Sequence, residues 1–123
     1  MPKTEIKIQR DKNLFIIRRD DNFIHLLEMS LVFYKRLMTL MQDTEGVVLH
    51  MNTKFLNLIN KVTIDSEKIY LSEDDVTLFA DWVDCLCLIM LDLDSVDYKN
   101  KEIKKYMTLS ERFIKRSKEL MVA

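Results

Sequence analysis

The segment from Ser72 to Asp94 leaves this chain few ways to fold. Ser72 is a cap residue followed by Glu73, Asp74 and Asp75, three acids in a first helical turn, where the positive end of the helix dipole favours them. Beyond them come Val76, Leu78, Phe79, Ala80, Trp82, Val83, Cys85, Leu86, Cys87, Ile89, Met90 and Leu93. At about 100° per residue, these cover considerably more than half of a helix's circumference. The strip left over is Asp74, Thr77, Asp81, Asp84, Leu88 and Asp92. A surface helix needs an apolar stripe of little more than about 100°. The helix predicted over 73–94 therefore lies at the centre of the fold, or its surplus apolar face meets another chain.

The rest of the chain points to other long helices. Its 123 residues include one glycine, Gly46, and one proline, Pro2, where average usage gives roughly eight and six. Without these residues sharp turns are scarce and helices run on. Phosphate-cradling loops and dinucleotide fingerprints, which need several glycines, are excluded. Apolar residues recur at helical spacing from Phe23 to Met41, behind a cap at Asp20, Asp21 or Asn22, and again from Val48 to Val62. In the last helix Ile103, Tyr106, Met107, Leu109, Phe113 and Ile114 share a face with Ser110 and Ser117, small residues that permit close helix approach. Ahead of all these, Ile6 and Ile8 alternate with charge, a polar break spans Asp11 to Asn13, and Leu14 to Ile17 resumes, which reads as a β-hairpin or an irregular arm. Thr63 to Leu71 reads as a connector with a possible short extended pair. The expectation is one all-α domain over 1–123: a bundle of about four helices, 21–42, 46–62, 73–94 and 100–121, with an N-terminal hairpin or arm over 1–19.

No apolar run approaches the roughly 20 residues that span a bilayer, so no membrane partner is expected. Cys85 and Cys87 stand two apart, where side chains on a helix diverge, and free thiols with eight methionines suit a reducing cytoplasm. The frequent Lys, Ile, Asn and Asp fit an AT-rich genome of the phage or mobile-element kind.

Several constellations carry possible chemistry. Asp81 and Asp84 put two carboxylates on one helix face, a spacing that can share a divalent metal. The run from Phe79 to Leu91 resembles the second acidic helix of all-α nucleotide pyrophosphohydrolases of the MazG and dimeric dUTPase kind. That resemblance implies a second acidic pair on a facing helix, and here the first helix offers Glu28 with Leu31 three residues on. Arg19 and His25, six apart, resemble the Arg–His pair with which helical HEPN ribonucleases act on a phosphate, though that pair usually lies late in the domain. His25, His50, Cys85 and Cys87 have no clustered zinc spacing. The solvated helix face and the helix-start histidine account for these residues without a reaction. Neither a catalytic residue, a metal nor a cofactor is expected.

Charge is segregated despite a net charge of −1. Residues 69–98 hold eight acids and neither Lys nor Arg, whereas residues 99–119 hold eight basic residues against three acids. Residues 1–19 add six basic residues against two acids. The leading expectation is a non-catalytic module that binds another protein, self-associates, and acts as an accessory or regulator. Trp82 and Leu88 would form its interface, with Asp81, Asp84 and Asp92 at the rim. The alternative is a nucleic-acid accessory protein that uses Arg18, Arg19, Lys104, Lys105, Arg112, Lys115 and Arg116.

Overall fold

The structure, a computed structural model, describes residues 4–40, 54, 56–91 and 99–122. The N-terminal alternation forms the hairpin. Ile8–Asp11 (β1) and Leu14–Arg18 (β2) pair antiparallel, with Ile8 opposite Ile17 and Asp11 opposite Leu14. Lys12, in the two-residue turn, sits at φ 59°, the positive sign that tight hairpin turns demand at their first central position.

The all-α expectation is overturned by a third strand, Lys68–Ser72 (β3), which pairs antiparallel with β2 and completes a sheet of order β1-β2-β3. The fold is α+β. The five residues of β3 alternate polar and apolar, and Ile69 and Leu71 point into the core. Two apolar residues are too few to mark a strand without its partner, and that partner lies far back in the chain.

Among the described residues the sheet carries four helices: Asp21–Leu40 (α1), 56–62 (α2), Glu73–Leu91 (α3) and Lys101–Met121 (α4). The start expected for α2 near residue 46, and the tail of α3 including Asp92, lie outside the described residues. Each remaining helix start is capped. The Asp20 carboxylate accepts from the Phe23 amide at 3.0 Å, and Asn100 accepts from the Glu102 amide at 2.8 Å. Ser72, the last residue of β3, accepts from the Asp75 amide at 3.2 Å, so strand passes to helix without a loop.

One core joins these elements. Ile8, Phe15, Ile17, Ile69 and Leu71 form the inner face of the sheet, against which α3 and α4 pack. Val76, Phe79, Ala80, Trp82, Val83 and Leu86 of α3 are all buried, so its apolar breadth is used by a central position. The Phe79 ring touches rings from both flanking helices: Phe23 of α1 at 6.1 Å and Phe113 of α4 at 5.3 Å. Ser110 and Ser117 are buried along α4, as their spacing predicts, and the Ser30 hydroxyl meets the Tyr106 hydroxyl at 2.8 Å between α1 and α4. Burial pushes the Tyr106 phenol well above its ordinary range, partly offset by that hydrogen bond, so it stays neutral.

Removing the shared ring should therefore weaken three elements together. Phe79→Ala is expected to cost about 3–5 kcal/mol in urea unfolding, whereas Leu88→Ala, on the exposed strip of the same helix, should change stability by less than about 0.5 kcal/mol.

Candidate functional site

Among the described residues no element covers the outer face of the sheet, and its register sorts the exposed side chains into rows. Arg18 stands opposite Lys68 across the β2–β3 ladder. On its other side the Arg18 amide donates to the Lys7 carbonyl at 3.0 Å, continuing the β1–β2 register. Lys7, Arg18 and Lys68 thus form a cross-strand row of three cations. Like charges directly opposite one another destabilise a sheet, and among the described residues none of the three has a carboxylate partner. The next row is Gln9, Ile16 and Tyr70.

A groove of about 700 Å³ runs from this face past Ile6 and Ile8 at the β1 edge to the flank of α4. Arg112, Lys115, Arg116 and Glu119 line its helical wall, while Lys7, Gln9, Ile16, Arg18 and Lys68 line the sheet. Six cations and two acids, Glu5 and Glu119, therefore share one concave surface. Two arginines hold the walls together. The Arg112 guanidinium donates to the Thr4 carbonyl at 2.6 Å. Arg10 donates to the Leu120 carbonyl at 2.9 Å, satisfying an orphan acceptor at the end of α4, and lies over the Phe15 ring at 5.4 Å. The Arg116–Glu119 pair, at 3.3 Å, is half exposed on both sides and offsets little of the charge.

Of the basic residues singled out from sequence, Arg18, Arg112, Lys115 and Arg116 meet here, while Lys104 and Lys105 sit nearer the start of α4 and do not line the groove. Arg19 is committed elsewhere. Its guanidinium donates to the Val62 and Ile64 carbonyls, both at 3.0 Å, and closes the C-terminal end of α2. Lys7 and Lys68 escaped notice, although each is the polar member beside an inward isoleucine, which is the signal that places a residue on the outer face of a strand.

The acidic strip of α3 is exposed at Asp81, Asp84 and Leu88. Trp82, expected beside Leu88 at an interface, instead lies inside, with its ring 5.8 Å from Tyr34 and 5.9 Å from Phe79. It occupies the inward side of a helix whose neighbours enclose it. At the start of α3, Asp75 pairs with Lys61 of α2 at 2.7 Å. Burial alone would raise this carboxyl, but hydrogen bonds from Lys61 and Ser72 hold it below its ordinary value.

The nearly buried His25 places both ring nitrogens against Glu102, Nε2 at 3.0 Å from its carbonyl and Nδ1 at 3.3 Å from its carboxylate. His25 therefore joins α1 to the first turn of α4, while Arg19 serves α2. Among the described residues no three His, Cys, Asp or Glu side chains come close enough to hold a metal ion. No protein-family model, curated protein or solved structure matches the chain.

A second hollow of about 420 Å³ lies between α3 and α4, lined by Asp84, Cys87, Met107, Ser110, Ile114 and Lys118, among others. Burial pushes the Cys87 thiol above its ordinary range, and nearby Asp84 adds to the shift, so Cys87 is a poor nucleophile. Cys85 is exposed. In single Cys→Ser variants, Cys87 should react several-fold more slowly with a thiol reagent at pH 8 than Cys85. Its rate should keep rising with pH beyond the midpoint of an ordinary thiol, about 8.5.

Proposed function

We propose that this protein binds nucleic acid along the groove between the outer face of the sheet and α4. What supports the reading is the convergence of Lys7, Arg18, Lys68, Arg112, Lys115 and Arg116 on one concave surface that holds two acids. A solvated helix face accounts for basic residues on α4 alone. It does not account for cations from β2, β3, the residue before β1 and a helix gathered about one hollow, in a chain whose net charge is −1. A polyanion entering there would relieve the mutual repulsion of the cation row and release its own counterions, which together drive binding.

The protein-binding reading keeps one specific observation. Leu88 is 59% exposed on α3, next to Asp84 and Cys85, where an apolar contact with an acidic rim could seat a partner or a second copy. A single exposed leucine is ordinary on a soluble surface, so this reading comes second.

Fluorescence anisotropy with a labelled 12-nucleotide DNA tests the first reading. Affinity should fall with salt along a log–log slope of about −2 to −4, the range for three to six phosphates neutralised on a flexible strand. Charge reversal at Arg18 and Lys115 together should weaken binding by at least about tenfold. The same reversal at Lys104 and Lys105, off the groove, should change it far less. Equal losses from both pairs would mean that general basicity, and not the groove, attracts the DNA. The second reading predicts concentration-dependent light scattering that Leu88→Lys abolishes.

A further inference from the structure

Resting on that reading, we infer that the groove takes single-stranded nucleic acid, with Tyr70 as the platform on which an unpaired base stacks. Tyr70 lies outside the groove's own lining, 55% exposed on the outer face of β3, in register with the lining residue Ile16 of β2 and one row from the Lys7–Arg18–Lys68 cations. Residues two apart in a strand are separated by about 7 Å, the scale of the distance from a nucleotide's phosphate to its base. A strand whose phosphates lie on the cation row therefore sets its bases over Tyr70 and Ile16. Leu14, 47% exposed, continues the apolar surface beyond them, opposite Ser72.

Two features favour a single strand over a duplex. An aromatic platform acts only on a base whose face is free, and in a duplex the faces are stacked on one another. The groove, at about 700 Å³, has the size of a small-molecule pocket, enough for a few nucleotides of one strand. The floor also lacks what reads sequence. Gln9 is the sole amide among the groove's lining residues, so the preference expected is for unpaired bases over paired ones, with little discrimination among bases.

The test compares a labelled 12-nucleotide oligothymidine with a 12-base-pair duplex, using the full chain and three variants. The single strand should bind more tightly than the duplex at equal salt. Tyr70→Leu should weaken single-strand binding by about 5- to 100-fold, the range for losing one stacked base, and leave the salt slope unchanged. Tyr70→Phe, which keeps the ring, should bind like the parent. Because Tyr70 is exposed, both variants should keep the parent's circular dichroism and melting temperature. Parent-like affinity of Tyr70→Leu, or a duplex bound as tightly as the single strand, would overturn the inference. If Arg18→Glu/Lys115→Glu still abolished binding in that case, the groove would stand as a nucleic-acid site without a base platform. Binding of anionic lipid vesicles or heparin, with neither oligonucleotide bound, would overturn both.

Discussion

The fold depends on burying the broad apolar face of α3. The Phe79 ring shows how that face is covered: it meets Phe23 of α1, Phe113 of α4 and Trp82 one turn on. The inner face of the sheet supplies the remaining wall through Phe15, Ile17, Ile69 and Leu71. Ser72 ends β3 and caps α3 in the same residue, so the position of the third strand follows from the position of the central helix. With the described helices gathered on one side, none of the described residues covers the other face of the sheet. The candidate site is that face together with the flank of α4.

Arginine carries the joints between elements. Arg10, Arg19 and Arg112 each donate to backbone carbonyls, at the end of α4, at the end of α2 and at Thr4. These contacts satisfy acceptors but cancel no charge, so Arg10 and Arg112 leave the region of the groove positive while they build it. The acids of α3 do not line the groove. Asp75 is consumed by Lys61, and Asp81 and Asp84 face solvent on α3. The stretch of acid and the stretch of base that are separate along the chain meet between α3 and α4, where Asp84 lines one hollow with Lys115 and Lys118.

Helical spacing made much of this legible. Asp20 and Ser72 cap where the sequence offers caps, the buried serines of α4 lie where its apolar face predicts, and the hairpin follows from alternation around Asp11 to Asn13. The alternation in Lys68–Ser72 allows an extended segment, but its place as the third strand of the N-terminal sheet does not show locally, because pairing between β2 and β3 is a long-range event. The same gap hid the site. Arg18, Arg112, Lys115 and Arg116 are visible as basic residues, but the row that joins Arg18 to Lys7 and Lys68 exists only once the register is known. The inward position of Trp82 is hidden for a simpler reason: a helix apolar over most of its circumference does not say which of its large side chains faces inward.

Backbone amide NMR with increasing single-stranded oligonucleotide addresses the central claim most directly, since both candidate surfaces report in one spectrum. A ligand in the groove should shift the amides of Lys7, Gln9, Ile16, Arg18, Lys68 and Tyr70 together with those of Arg112 and Lys115, and leave Asp81 to Leu88 in place. Shifts confined to α3, or spread evenly over every basic residue including Lys104 and Lys105, would contradict the groove as the site.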